Sequence, residues 1–221
     1  MEPVIPAKTS GRPHLTVEWG IAQRARPGET VSGDRYVMVR RPDEVLIAVL
    51  DGLGHGAEAA MAAEVAAATL ETHCGEPMIS LLGLCHKALR NTRGAAISVA
   101  SFSAILDSMT WGGVGNVEGV ILRADDKAVP AQEHIPLFPG VVGYRLPHLR
   151  PMVTPIHRGD LVVFYTDGIR ADALFEPVSR RSPELIARRI CDKYGKGTDD
   201  ALVFVARFVE SKNALGGSAS S

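Results

Sequence analysis

Residues 45–71 read VLIAVLDGLGHGAEAAMAAEVAAATLE, and the turn inside this stretch decides the fold. The apolar run 45–50 predicts a buried strand, and the alanine-rich segment 56–73 predicts a helix. A glycine-rich turn between a strand and a helix can hold a phosphate on the free N–H groups of the helix. Asp51 stands at the start of that turn, where its negative charge would repel a phosphate and attract a metal ion.

The amino-acid composition limits the classes of protein to which the chain can belong. The chain has 221 residues, of which 46% are hydrophobic and 22% charged, enough to bury a sizeable core. A formal net charge of −1 supplies no overall field for a nucleic acid or a membrane, so neither is expected as a partner. No apolar run reaches the roughly 20 residues that span a bilayer, and the first residues lack a signal peptide's apolar core. Three cysteines without a C-x-x-C pair favour a reducing, cytoplasmic compartment.

Apolar and β-branched runs between turn signals predict strands at 14–23, 35–41, 45–50, 96–106, 117–124, 160–166 and 201–209. Helices are predicted at 56–73, 78–92 and 183–194. The second helix is expected to bury Ile79, Leu82, Cys85 and Leu89, which share one face at helical spacing.

The order of these elements predicts the architecture. Consecutive strands favour mostly antiparallel sheets with helices outside them, and therefore a layered α/β sandwich rather than an alternating βαβ fold. We expect one domain over 14–209, with flexible ends at 1–13 and 210–221. The proline- and histidine-rich segment 125–158 fits a flap, a partner surface or a meander of short strands equally well.

The glycine turn also matches a dinucleotide-binding fingerprint. Gly52, Gly54 and Ala57 satisfy G-x-G-x-x-A between a strand and a helix. Two features oppose this interpretation: the charge of Asp51, and the position of Glu71, which falls in a helix where the fingerprint needs an acidic residue at a strand end.

Two other phosphatase chemistries fit poorly. An aspartyl-phosphate mechanism would use Asp51 as nucleophile and a second carboxylate two residues later, where the chain has Leu53. A cysteine-phosphatase loop needs an arginine six residues after the cysteine, and the chain has Ser80, Asn91 and Gly197 at those positions.

Aspartates flank several predicted strands. They occur in SGD before strand 35–41, in LDG after strand 45–50, in YTDG after strand 160–166 and in TDD before strand 201–209. Strand ends can converge at one rim of a sandwich, and carboxylates that converge need a cation to neutralise them. Oxygen ligands suit Mg²⁺ or Mn²⁺, and the carbonyl of Gly52 is an additional candidate ligand.

In order, the motifs SGD, LDGLGHG, GGVGN, YTDG and TDDALV resemble those of PP2C-type metal-dependent protein phosphatases, in particular their bacterial SpoIIE-like branch. The resemblance covers roughly residues 14–209. It implies an αββα sandwich of two mostly antiparallel sheets flanked by helices, with two Mn²⁺ or Mg²⁺ ions in the cleft between the sheets. WGGVGN resembles the glycine-rich turn that borders this cleft.

The resemblance also implies roles for individual residues. Asp51 would bridge both metals and the Gly52 carbonyl would bind one of them, while Asp34 would serve the metal on its side. Asp167 and Asp199 would hold the other metal, with Asp200 as the alternative ligand or as a support behind it. His55 would orient a water or protonate the leaving oxygen, unless it only caps the following helix.

Animal members of the family clamp the substrate phosphate with an arginine near the N-terminus. No motif selects Arg24, Arg26 or Arg35 for that task, and the SpoIIE-like branch generally lacks the arginine. Phosphate binding is then left to the metals.

The implied activity is hydrolysis of phosphoserine or phosphothreonine by a metal-activated water. The resemblance is nearest to stand-alone stressosome phosphatases, which act on phosphorylated STAS-domain scaffold or antagonist proteins, and a monomer is expected. Two alternatives remain open: a catalytically silent module that binds a phosphoprotein, and a dinucleotide-binding oxidoreductase.

Overall fold

The computed structural model describes residues 15–170, 173 and 181–210. Its helices are α1 (Ala57–Thr72), α2 (Met78–Ala88), which continues into a 3₁₀ turn (Leu89–Asn91), and α3 (Pro183–Tyr194). Its strands are β1 (Leu15–Arg24), β2 (Asp34–Arg40), β3 (Glu44–Gly52), β4 (Ala95–Ser103), β5 (Ser108–Val114), β6 (Glu118–Leu122), β7 (Gln132–His134), β8 (Leu137–Phe138), β9 (Met152–Pro155), β10 (Leu161–Tyr165) and β11 (Ala201–Glu210).

The strands form two sheets. Sheet A has the order β1-β11-β10-β6-β7, and sheet B has the order β2-β3-β4-β5-β8, with β9 also paired to β5. The pairings are antiparallel except for the short β5–β8 pair. The sequence-based expectation of an αββα sandwich of mostly antiparallel sheets is confirmed.

Alternation along the strands explains the four layers. In β3, Ile47 and Val49 face the core between the two sheets, whereas Leu46 and Leu50 pack under α1 and α2. Sheet A repeats the arrangement, with its outer face buried under α3. Both faces of each central strand are therefore covered, which is why these strands are apolar without interruption.

The predicted elements match the observed ones closely, with three corrections. Ile79 is not a core residue of α2: it is 55% exposed, and Met78 takes its place because it lies four residues before Leu82. Glu210, assigned to the tail, is the last residue of β11. The sequence also missed β5, β7, β8 and β9, so 125–158 contains a meander of short strands. The predicted ends at 1–13 and 211–221 lie outside the described residues.

The topology of sheet B rules out the interpretation of the glycine-rich turn as a dinucleotide-binding site. That fingerprint needs a parallel βαβ unit, but β3 pairs with β2 and β4 in antiparallel register. Within the described part of the chain, no helix is long and apolar enough to cross a membrane.

A buried ion pair stabilises the end of sheet A at which β10 begins. Arg123 Nη1 donates to Asp160 Oδ2 at 2.7 Å, and the two side chains are 9% and 2% exposed. Asp160 also accepts the backbone N–H groups of Ala124 and His157, so its charge is fully partnered. This aspartate is structural, although it belongs to the same motif, DLVVFYTDG, as Asp167.

Removal of one partner from this pair should be costly. We expect Asp160→Ala to lower the free energy of unfolding by about 3–5 kcal/mol, because buried Arg123 would keep only Glu133 as a carboxylate partner and the N–H groups of Ala124 and His157 would lose their acceptor. Asp192→Ala is the matched control: it breaks the exposed Arg24–Asp192 pair and should cost less than about 1 kcal/mol. Urea unfolding of both variants measures the difference, and equal losses would contradict the structural role of Asp160.

Candidate active site

The first pair of aspartates lies on neighbouring strands of sheet B. Antiparallel register places Asp34, at the start of β2, opposite Asp51, near the end of β3. The alternation that turns Ile47 and Val49 inward also points Asp51 into the space between the sheets. Gly52 then faces α1, where any side chain would overlap the carbonyl oxygen of Ala59, so close packing of the helix requires this glycine.

The second group of aspartates lies on sheet A. Asp167 follows β10, and Asp199 and Asp200 precede β11, which is the antiparallel neighbour of β10. The two groups therefore occupy the ends of adjacent strands on their respective sheets.

A threonine joins the two sheets at this rim. The hydroxyl of Thr166 donates to Asp34 Oδ2 at 2.7 Å and accepts the backbone N–H of Leu202 at 2.9 Å. Thr166 and Asp34 are both buried. One side chain of sheet A thereby fixes the carboxylate of Asp34 on sheet B.

The result is a polar cleft of about 280 Å³ at the rim of the sandwich. It is lined by Arg26, Asp34, Asp51, Leu53, Gly54, His55, Asn116, Asp167, Asp199 and Asp200. All five aspartates predicted from the motifs, together with His55, thus line one site.

Burial and mutual repulsion raise the pKa of three aspartates in the cleft. Burial, reinforced by the charges of Asp51, Asp200 and Asp167, raises the pKa of Asp34 to about 8 despite the hydrogen bond from Thr166. Burial, and then the charges of Asp167, Asp199 and Asp200, raise the pKa of Asp51 to about 7. The pKa of Asp167 is raised by burial and by Asp199, although Lys196 and Asn116 oppose the shift.

The two adjacent aspartates, Asp199 and Asp200, have different surroundings. Both carboxylate oxygens of Asp200 accept backbone N–H groups at 2.8 Å, one from Arg26 and one from Gly33. Asp200 therefore anchors the loop between β1 and β2. Among the described residues, Asp199 accepts the N–H of Asp200 at Oδ1 and no hydrogen bond at its other oxygen, and its side chain lines the cleft.

Two residues to which the sequence analysis gave no role also belong to the site. Asn116 follows the glycine-rich turn after β5 and donates from Nδ2 to Asp167 Oδ2 at 2.7 Å. Arg26 lines the cleft, whereas Arg24 and Arg35 form ion pairs with Asp192 and Glu64. The GGVGN motif pointed to Asn116, but no sequence signal distinguishes Arg26 from its two neighbours.

His55 does not cap the helix. Gly56 occupies the N-cap position of α1, and no side chain forms a cap hydrogen bond there. Instead His55 Nδ1 lies 2.7 Å from Glu29 Oε1, on the loop that Asp200 anchors.

The donor set fits hard divalent cations. The Asp51 carboxylate has no hydrogen-bond partner among the described residues, and its oxygens line a cleft with excess negative charge. Within residues 15–170, 173 and 181–210, no group of three or more acidic, histidine or cysteine side chains is drawn together closely enough to hold an ion by itself. That arrangement suits Mg²⁺ or Mn²⁺, which keep several water ligands and need few direct carboxylates.

Comparison with known proteins agrees with this geometry. The family model for stage II sporulation protein E (SpoIIE) matches residues 41–209. Phosphoserine phosphatase RsbX of Bacillus subtilis (strain 168) is 24% identical over 150 residues, which are 67% of this chain and 73% of that protein. The crystal structure of RsbX in complex with magnesium has a TM-score of 0.74 at 20% identity, covering 89% of this chain and 96% of that one.

Two further structures are similar. A chain from the study "The bacterial stressosome: a modular system that has been adapted to control secondary messenger signaling" has a TM-score of 0.81 at 35% identity, covering 87% of this chain and all (100%) of that one. The catalytic domain of the serine threonine protein phosphatase PstP, in complex with 2 manganese ions, has a TM-score of 0.60 at 14% identity, covering 89% and 100%.

The two-sheet sandwich, its carboxylate cleft and these similarities define a protein serine/threonine phosphatase of the PP2C type. Within that class, the chain belongs to the SpoIIE family.

The raised pKa values predict how the stability of the metal-free protein depends on pH. A carboxyl group whose pKa is higher in the folded than in the unfolded state stabilises the fold at low pH, and this contribution is lost as pH rises through the folded pKa. For Asp34 and Asp51 the window runs from about pH 4 to about pH 8.

We therefore expect the melting temperature in EDTA to fall between pH 5 and pH 8, and to fall less in Asp34→Asn. At pH 8 the variant should exceed its parent in stability by at least about 1 kcal/mol, since one pKa unit corresponds to about 1.4 kcal/mol. Scanning calorimetry at the two pH values measures this. Parallel pH dependence in parent and variant would show that the Asp34 carboxylate carries no such strain.

Proposed function

We propose that this chain removes phosphate from serine or threonine of a STAS-domain protein, using a water activated at a site for two divalent cations. The observation that carries the proposal is the convergence of Asp34, Asp51, Asp167 and Asp199, from both sheets, on one cleft. Burial, together with repulsion from the neighbouring aspartates, raises the pKa of Asp34 and Asp51, and a bound cation would favour their ionised forms.

Each cleft residue then receives a role. Asp51 and Asp34 would hold the ions on the side of sheet B, with the Gly52 carbonyl as an additional oxygen ligand. Asp167 and Asp199 would hold them on the side of sheet A. Support comes from RsbX, which has been crystallised with magnesium, and from PstP, which has been crystallised with 2 manganese ions.

Asp200 and Asn116 would act behind these ligands. Both oxygens of Asp200 are already engaged by backbone N–H groups, so we assign Asp199 as the ligand and Asp200 as the anchor of the loop. Asn116 holds one oxygen of Asp167 and leaves the other free for the cleft.

Divalent ions held there would supply an activated water near neutral pH and positive charge beside the phosphoryl oxygens. The chain's own residues would orient the reaction around them. The imidazole of His55 stands at the cleft wall, where it can deliver a proton to the departing serine or threonine oxygen. No side-chain nucleophile is required.

The assignment of a STAS-domain substrate rests on similarity. The relative RsbX is a phosphoserine phosphatase, and the structure with 35% identity comes from a study of the bacterial stressosome. All the proposed ligands belong to one chain, so a monomer suffices for catalysis. We assign the reaction to the cytoplasm, with neither a nucleic acid nor a membrane as partner.

A catalytically silent module that binds a phosphoprotein would use the same cleft. Such a module has no need of every proposed metal ligand, whereas all five predicted aspartates line this cleft. Manganese-dependent turnover of p-nitrophenyl phosphate decides between the two functions, because a binding module gives none.

Loss of the central carboxylate should abolish turnover. We expect Asp51→Asn to lower kcat/KM for a phosphorylated STAS protein by at least about 10²-fold, because Asp51 faces the ions from the middle of the cleft. Calorimetric titration with Mn²⁺ should show weaker binding in the same variant. Asp43→Asn, on the β2–β3 turn at the far end of β3, is the control. Equal rates for parent and Asp51→Asn would reject the proposed mechanism.

The two adjacent aspartates should separate in a second experiment. Asp199→Asn should weaken Mn²⁺ binding by roughly tenfold or more, with little change in stability. Asp200→Asn should instead lower the free energy of unfolding by about 1–3 kcal/mol, since an amide cannot accept both backbone N–H groups. Calorimetric titration and urea unfolding of each variant measure the two effects. The reverse pattern would make Asp200 the ligand.

A further inference from the structure

A carboxylate from a second loop holds His55 at the cleft. Glu29 Oε1 lies 2.7 Å from His55 Nδ1; the side chain of His55 is exposed and that of Glu29 is half-buried. Glu29 belongs to the loop between β1 and β2, whereas His55 belongs to the turn between β3 and α1. The contact therefore joins two segments that the proposed mechanism has not connected.

The loop that carries Glu29 is fixed at both of its sides. Asp200 accepts the N–H of Arg26 and the N–H of Gly33, and Glu29 N–H itself donates to the carbonyl of Arg26 at 3.0 Å. Glu29 is thus presented from a tight turn whose backbone is anchored to sheet A. Such a turn can set the orientation of an imidazole in a way that a freely rotating surface glutamate cannot.

The turn that carries His55 leaves room for the side chain of Glu29. A side-chain carbon at Gly56 would lie 3.0 Å from Glu29 Oε2, which is closer than such contacts ordinarily come. Gly56 also has a φ of 73°, a left-handed conformation that glycine adopts without strain. The glycine after His55 is therefore what allows Glu29 to pack against the turn.

The contact fixes the proton pattern of the imidazole. An ionised carboxylate only accepts hydrogen bonds, so Nδ1 of His55 must carry the hydrogen that faces Glu29. The other ring nitrogen, Nε2, is then the atom that exchanges protons with the cleft. We propose that Glu29 is a positioning residue that selects this tautomer and directs Nε2 of His55 toward the leaving oxygen; this role rests on the proposed phosphatase function.

The proton balance of the reaction defines what the pair contributes. Hydrolysis forms a bond from a water oxygen to phosphorus and breaks the bond from phosphorus to the serine oxygen. The attacking water releases one proton to solvent when it is activated. The departing oxygen takes the Nε2 proton of the doubly protonated imidazolium and leaves as a hydroxyl group, and the neutral imidazole that remains keeps its Nδ1 hydrogen on Glu29. The imidazole regains its proton from solvent before the next turnover.

Two substrates with different leaving groups test the positioning role of Glu29. A serine alkoxide is strongly basic and needs the proton, whereas p-nitrophenolate is weakly basic and departs almost as well without it. We expect Glu29→Gln to lower kcat about tenfold on a phosphoserine peptide and less than about threefold on p-nitrophenyl phosphate. In a His55→Asn background the same substitution should add less than about twofold, because it acts through His55. Glu71→Gln, on the exposed end of α1, is the control.

A spectroscopic measurement on the magnesium-loaded protein tests the geometry without turnover. Nitrogen-15 spectra recorded at alkaline pH, where the imidazole is neutral, should show His55 as the Nδ1–H tautomer in the parent and as a mixture in Glu29→Gln, with the signal assigned by its loss in His55→Asn. Equal losses of kcat on both substrates, or an unchanged tautomer, would overturn the positioning role. Absence of metal-dependent turnover in the parent would instead overturn the proposed function, and the proton transfer with it.

Discussion

The hydroxyl of Thr166 is the link on which the geometry of the active site depends. A hydroxyl has a single proton, and Thr166 gives it to Asp34 while accepting the N–H of Leu202. The bond is buried, where competition from water is absent and polar contacts are stronger. It joins the two sheets at this rim and engages one oxygen of Asp34.

The aspartates at the two ends of sheet A have opposite electrostatic surroundings. At one end, Asp160 is neutralised by Arg123 and two backbone N–H groups, an arrangement that stabilises the fold. At the other, Asp167 faces further aspartates, and its pKa is raised. The three apolar layers of the sandwich supply the stability that this repulsion removes. A protein that kept only stabilising contacts would have replaced these carboxylates.

The sequence predicted the site because strand periodicity fixes the direction of a side chain. Ile47 and Val49 face the inner core, so Asp51, two residues on, faces the cleft, and the antiparallel register brings Asp34 opposite it. Glu29 and Arg26 could not be found in this way, since they lie on a loop without periodicity. That loop is held by tertiary hydrogen bonds from the N–H groups of Arg26 and Gly33 to Asp200, at sequence separations of 174 and 167.

The resemblance of the glycine turn to a dinucleotide fingerprint has a physical origin. In both cases a helix must pack closely on the strand that precedes it, and only glycine allows the backbones to approach. Here Gly52 meets this demand against Ala59. The G-x-G-x-x-A spacing therefore indicates close packing of α1 on β3 and does not identify the ligand. The residue before the glycine indicates the kind of ligand. The carboxylate of Asp51 would repel a phosphate bound directly by the turn, and it favours a cation between the carboxylate and the phosphate.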